Sequence, residues 1–202
     1  MNAKAHIVDD DEAIRDALAW LLESRGIACE KWPSAEDFLV HYTARGGDVP
    51  GCLLLDIRMD GMSGLALYDL LMEKRATVPV IFLTGHGDVP MAVAALKKGA
   101  FDFVEKPFND NELANRVIEA MALDQRQRQA QAGSAGLRQR LAQLTDREKQ
   151  VMELILAGKM NKVIADNLQI SMRTVEVHRA RLFEKMGVKS AVELAQRVKD
   201  QG

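Results

Sequence analysis

Cys52-Leu53-Leu54-Leu55-Asp56 is four apolar residues running straight into a carboxylate. An unbroken apolar run this short reads as a strand buried on both faces. The form recurs along the first half of the chain. His6-Ile7-Val8 runs into Asp9-Asp10-Asp11, residues 80–83 into Thr84, and residues 101–104 into Glu105-Lys106-Pro107, with a weaker edge strand at 27–31. Between them lie segments of helical period at 12–25, 34–44, 63–75, 89–98 and from 109 onward; in the first, Ile14, Leu18, Leu21 and Leu22 share one face. Strand–helix alternation with continuous apolar strands predicts an α/β unit, a parallel five-stranded sheet covered by helices on both faces.

In such a sheet the site lies at the carboxyl ends of the strands. Those ends carry Asp9, Asp10 and Asp11 after the first strand, Asp56 after the third, Thr84 after the fourth and Lys106 after the fifth. Carboxylates this close raise one another's pKa unless a cation sits among them. Hard oxygen ligands suit Mg²⁺, which binds a few carboxylates and keeps open positions for phosphate oxygens. A carboxylate also acts as a nucleophile toward phosphorus, and the new phosphoryl oxygens then need a metal, a cation and a hydrogen-bond donor. Asp9 and Asp10 with Mg²⁺, Lys106 and Thr84 supply these, and Asp56, alone at its strand end, is the nucleophile. Taken singly, an Asp after a strand is more often an Asx-turn or a helix cap, as Asp11 is expected to be, and Lys106 alone would be a surface lysine. The four strand ends together are the signal. There is no G-x-x-x-x-G-K-[ST] phosphate loop and no G-x-S-x-G elbow.

Val8-Asp9-Asp10-Asp11-Glu12, Leu55-Asp56-Ile57-Arg58-Met59, Gly61-Met62-Ser63-Gly64, Leu83-Thr84-Gly85-His86-Gly87-Asp88 and Glu105-Lys106-Pro107-Phe108 resemble the receiver domain of two-component response regulators over about residues 4–122. The resemblance implies a flavodoxin-like (βα)5 fold with Asp56 as phosphoryl acceptor. Asp9, Asp10 and Asp56 would hold Mg²⁺ together with the main-chain carbonyl of Arg58. Lys106 would contact the phosphoryl group, and Thr84 and Phe103 would form the switch pair. Asp60 stands where the family usually has proline.

The chain has 202 residues, 48% apolar and 28% charged, which bounds it to one large or two small globular domains. No apolar run reaches a membrane span, and the first ten residues lack a secretory h-region. Cys29 and Cys52 make neither a disulfide framework nor a zinc set, and the scattered His6, His41, His86 and His178 show no metal-ligand spacing. A cytoplasmic protein is expected. The net charge of −2 hides a split: residues 1–124 carry 12 Lys+Arg against 21 Asp+Glu, and residues 125–202 carry 15 against 8. An acidic half joined to a basic half predicts two domains with different partners, the basic one facing a polyanion or merely well solvated. The expected division is a receiver at 1–124, a helical and flexible linker at 125–141 jointed at 133–136, and a second domain at 142–202.

In that second domain Thr145 or Asp146 caps a helix ended by Gly158. A short helix lies at 162–168, a turn through Gln169-Ile170-Ser171 leads into a helix at 172–186, and a last helix spans 190–199. Four short helices with tight turns predict an all-α helix-turn-helix bundle. Winding 172–186 at 100° per residue puts Val175, Leu182 and Met186 on one side. Arg173, Val177, Ala180, Arg181 and Glu184 fall on the other. Such a face fits a recognition helix in the major groove, although any surface helix shows something similar. Val177 suits a thymine methyl and Glu176 a cytosine N4. Lys162, Arg173, Arg181 and Lys185 suit phosphates, and Arg179 lies near the apolar side.

Leu144-Thr145-Asp146-Arg147-Glu148, Ile170-Ser171-Met172-Arg173-Thr174-Val175-Glu176-Val177-His178-Arg179 and Lys185-Met186-Gly187-Val188 are similar to the LuxR-type helix-turn-helix over about 142–199. The whole chain thus resembles a NarL/FixJ-class response regulator, on the FixJ side. The resemblance implies a DNA-binding surface of Lys162, Arg173, Thr174, Glu176, Val177, Arg179, Ala180, Arg181 and Lys185, with Glu148 structural. The implied partners are a sensor histidine kinase, promoter DNA, RNA polymerase and, on phosphorylation, a second copy of the chain; a membrane is not among them. The implied role is a transcriptional regulator rather than an enzyme. Two other readings are an aspartyl-phosphate phosphatase, which wants an acid where Arg58 stands, and a module that signals by protein contact alone.

Overall fold

The computed structural model describes residues 3–85 and 89–199. His86, Gly87 and Asp88 of the quoted motif lie outside the described residues. The elements run β1 (Lys4–Val8), α1 (Glu12–Glu23), β2 (Cys29–Trp32), α2 (Ala35–Ala44), β3 (Gly51–Asp56), α3 (Gly64–Glu73), β4 (Val80–Thr84), α4 (Val89–Lys97), β5 (Asp102–Glu105) and α5 (Asp110–Ala142). There follow α6 (Asp146–Leu156), α7 (Asn161–Leu168), α8 (Met172–Met186) and α9 (Ala191–Lys199). The chain divides into two compact units, Met1–Gln127 and Arg128–Gly202. Among the described residues no helix is long and apolar enough to cross a membrane.

In the first unit all four strand pairings are parallel, in the order β2-β1-β3-β4-β5. This is the doubly wound order 2-1-3-4-5. Side chains alternate across the pleat, and the apolar runs fill both faces. Leu53, Leu55 and Phe82 pack with Phe38, Tyr42, Leu67, Tyr68 and Leu71 of α2 and α3. Ala5, Ile7, Cys52, Leu54, Ile81 and Leu83 pack with Leu18 and Leu22 of α1 and with Leu113, Ala114 and Val117 of α5. Each fully buried Leu contributes about 2 kcal/mol by transfer from water. That is why β3, with six buried residues in a row, sits at the centre of the sheet.

Helix starts follow local chemistry. Asp11 accepts hydrogen bonds from the main-chain N–H groups of Ala13 and Ile14, Ser34 from Asp37, and Ser63 from Ala66. The joint expected at 133–136 is absent: α5 runs through Gly133, Ser134 and Gly136. A glycine inside a helix costs about 1 kcal/mol relative to alanine. The Gln, Arg and Ala residues around these two are strong helix formers, and Leu137 and Leu141 are held by packing in the second unit.

The second unit closes around Leu137, Leu144, Val151, Ile155, Ile164, Val175, Leu182, Met186, Val188 and Leu194. Its core therefore takes Leu137 and Leu141 from the stretch read from sequence as linker. Thr145 and Glu148 form a reciprocal capping box at the start of α6. Gln169, in the left-handed region at φ 53°, turns α7 into the Ser171 cap of α8.

Candidate phosphoacceptor site and nucleic-acid interface

The strand ends converge as the apolar runs foretell. Asp9, directly after β1, is 1% exposed, and Asp56, the last residue of β3, is 7% exposed. The ammonium of Lys106 lies between them, 2.8 Å from Asp9 Oδ2 and 2.6 Å from Asp56 Oδ1. It arrives there because β5 pairs with β4 up to Thr84–Glu105, and the N–H of Lys106 then donates to the Thr84 carbonyl at 2.7 Å.

The second oxygen of each acid is also tied down. Asp56 Oδ2 accepts from the main-chain N–H of Arg58 at 2.8 Å, and Asp9 Oδ1 accepts from that of Asp11 at 2.9 Å. Asp10 is exposed, and its Oδ2 accepts from the main-chain N–H of Asp60 at 2.9 Å. A proline at position 60 would have no N–H to give. Arg15 grips the Asp9 carbonyl at 2.6 Å. The β3–α3 loop has no slack, because a Cβ on Gly64 would run into the main-chain oxygen of Asp56.

Burial raises the Asp56 pKa and Asp9 adds to the effect, while the hydrogen bond and charge of Lys106 pull against it. Burial works to lower the Lys106 pKa, but the hydrogen bonds and charges of Asp56 and Asp9 outweigh it and the ammonium is held more firmly. The result is two buried carboxylates sharing one cation, short of positive charge.

Thr84 ends β4 with its side chain fully buried, and Oγ1 has no hydrogen-bond partner. A buried hydroxyl normally has one. Phe103 is half-buried opposite Phe82 on the neighbouring strand and packs on the α2–α3 core. By pleat alternation Phe82, Thr84 and Phe103 belong to one face of the sheet. Asp9, Asp56 and Lys106 are thus in direct contact, Asp10 is tied to the loop after β3, and Thr84 and Phe103 lie on the two strands beyond. The sequence reading missed the contributions of Arg15 and of the Asp60 N–H. Neither had a signal: one acts on a carbonyl, the other through its own main chain.

In the second unit Arg173, Glu176, Val177, Ala180 and Arg181 are exposed along α8, and Lys162 is exposed on α7. Three of the other expected contacts have partners within the unit. Lys185 donates to Glu148 at 2.7 Å, and Glu148, 2% exposed, thereby has a cation beside it. Thr174 shares a hydrogen bond of 2.8 Å with Ser171 in the α8 cap. Arg179 lies over the Phe183 ring, 5.3 Å from its centroid.

Comparison with known proteins agrees with this anatomy. Residues 5–118 match the response regulator receiver domain family, and residues 142–198 match the luxR family of bacterial regulatory proteins. The C4-dicarboxylate transport transcriptional regulatory protein DctR of Rhodobacter capsulatus is 50% identical over 198 residues, 96% of this chain and 98% of its own length. The transcriptional regulatory protein FixJ of Rhizobium meliloti (strain 1021) is 46% identical, over 92% of this chain and 89% of its own. The solved structure of the response regulator StyR superposes with a TM-score of 0.89 at 39% identity, covering 98% of this chain and 99% of that one. A buried acid pair bridged by lysine at the strand ends, a helix-turn-helix whose outer face exposes Arg173 and Arg181, and relatives alike over nearly their whole length lead to one assignment: the chain belongs to the two-component response regulators of the NarL/FixJ class, transcriptional regulators that join a receiver domain to a LuxR-type DNA-binding domain.

Proposed function

We propose that Asp56 accepts a phosphoryl group from a phosphohistidine of a sensor histidine kinase. The N–P bond breaks, a carboxylate oxygen of Asp56 forms the new O–P bond, and the histidine leaves with the electron pair. The observation that carries this reading is the Lys106 ammonium set between Asp9 and Asp56; the Thr84 hydroxyl, buried at the end of β4, has no partner. Receiver domains in general bind Mg²⁺. Here the carboxylates of Asp9, Asp10 and Asp56 and the main-chain carbonyl of Arg58 would hold it, a hard-oxygen set of the kind that ion selects. When bound, the ion neutralises charge on the transferring group. Lys106 supplies a second, fixed cation. Thr84 Oγ1 gains a partner by donating to a phosphoryl oxygen, and Phe103, on the same face, turns into the space the hydroxyl leaves. That resets the face formed by α4 and β5, a local charge event with a global readout.

The reset face favours a receiver dimer. Two copies of α8 then meet DNA half-sites about one helical turn apart. Arg173, Arg181 and Lys162 engage phosphates, and Glu176, Val177 and Ala180 approach base edges. RNA polymerase is the downstream partner, the site of action is the cytoplasm, and the chain is a stoichiometric switch without catalytic turnover.

Intact mass after incubation with Mg²⁺ and a small acyl phosphate tests the first step. One added phosphoryl group is expected on the wild type and none on Asp56→Ala. An adduct on both would overturn the assignment of the acceptor. A wild type that takes up the group with no gain in affinity for DNA selected in vitro would separate the receiver chemistry from the output.

A further inference from the structure

The sequence spacing of the histidines hides a cluster on the far side of β1. His6 on β1, Glu30 on β2 and His41 on α2 come together: one ring nitrogen from each histidine and one Glu30 oxygen all lie within 4.8 Å of one another. The three elements meet because β2 pairs in parallel with β1, setting His6 opposite Glu30. Helix α2 then packs its Phe38–Tyr42 stripe over that edge.

The hydrogen bonding of this cluster is incomplete. His6 is 2% exposed, and its Nδ1 faces Glu30 Oε2 at 4.0 Å. Nδ1 accepts only a long bond, 3.4 Å, from Trp32 Nε1. An accepting Nδ1 puts the ring proton of neutral His6 on Nε2, which is buried without a hydrogen-bond partner. Burial pushes the His6 pKa down to about 4, His41 and Lys4 pushing the same way against Glu30. A lone pair therefore faces a carboxylate. Nε2 of His41 is also buried without a hydrogen-bond partner. Lys4, half-exposed, reaches Glu30 from one side at 3.1 Å and leaves the imidazoles uncompensated. Two imidazoles and a carboxylate, met only by the long Trp32 bond and by Lys4 at the edge, form a ligand set for a borderline divalent ion; hard cations such as Mg²⁺ prefer all-oxygen shells.

We propose that His6, Glu30 and His41 are the protein ligands of a Zn²⁺ site, with water in the fourth position. In a tetrahedral shell with bonds near 2.0 Å, neighbouring ligand atoms sit about 3.3 Å apart. The cluster closes to that by side-chain rotation of Glu30 and His41, both only half-buried. The ion ties the edge strand β2 and helix α2 to the middle of the sheet, away from the acids at the strand ends.

The full chain, titrated with Zn²⁺ in millimolar Mg²⁺ to mask the carboxylate cluster, tests the site by bound zinc and by melting temperature. The expected result is one Zn²⁺ per chain and a Tm raised by several degrees, since ligand bound only to the folded state stabilises it. His41→Ala and Glu30→Gln, both at half-exposed positions, are expected to bind roughly tenfold or more weakly and to lose the Tm rise. Their Tm without zinc verifies that each is folded. Trp32, whose ring centroid lies 4.4 Å from that of His41, provides a fluorescence signal that should change on binding to the wild type. No bound zinc on the wild type, or zinc that both folded variants retain unchanged, would overturn the proposal.

Discussion

Glu148 carries the clearest residue-scale consequence. Burial alone would raise its pKa. The hydrogen bond from Lys185 and those of the Thr145 capping box overcome this, and the carboxyl titrates below its ordinary 4.5. The unfolded chain therefore binds its proton more readily than the folded one, and stability contributed by Glu148 is present above about pH 4.5 and lost as the pH falls through the lower folded value. Acid unfolding of the second unit, followed by circular dichroism, should show this loss in the wild type, and Glu148→Gln should flatten it. Asp56 has the opposite sign: its raised pKa means that the ionised acceptor is held at a cost in stability, as functional sites commonly are. This residue chemistry was only partly legible in the sequence. Asp9, Asp56, Thr84 and Lys106 each stand at the end of an apolar run, so the runs point at them. The Glu148–Lys185 pair spans 37 positions, and nothing local announces it.

At the scale of the element, α8 serves two purposes. Its inner side, Val175, Leu182 and Met186, is core, and Lys185 belongs with that side through Glu148. Its outer side keeps Arg173 and Arg181 exposed. The two cations near its end should therefore fail differently when removed. Lys185→Ala leaves a buried carboxylate unpaired and should cost about 2 kcal/mol of stability, read by urea denaturation. Arg181→Ala should leave stability within about 0.5 kcal/mol. It should lower DNA affinity evenly across sequences, with the salt slope reduced by about one, read by fluorescence anisotropy at several salt concentrations. Helical winding places these residues around the axis but says nothing of which cation a distant acid will claim. Element positions were well marked, since buried strands and capped helices carry local signals. The long α5 was not: Gly133, Ser134 and Gly136 read locally as a break, and packing of Leu137 and Leu141 outweighs them.

At the scale of the molecule, the family matches end at residue 118 and resume at 142, but the physical units extend past both limits. Asp124, 1% exposed on α5, accepts from the main-chain N–H of Gly51 at 2.8 Å where β3 begins. Ala120 and Met121 pack in the α1–α5 core. At the other end Leu137 lies in the second core, and the Arg140 guanidinium donates to the Met186 carbonyl at 2.9 Å, closing the end of α8. The stretch between, 128–136, contributes no residue to any of the three buried cores. This decides where the chain tolerates a cut. Scission there should release two halves that each melt cooperatively. An amino-terminal half stopped at 118 should melt several degrees lower than one stopped at 127, with the buried Gly51 N–H left without its acceptor. A carboxy-terminal half begun at 142 should likewise be less stable than one begun at 128. A single helix is thus the severable tether of the molecule over nine residues and an inseparable part of a folded half on either side of them.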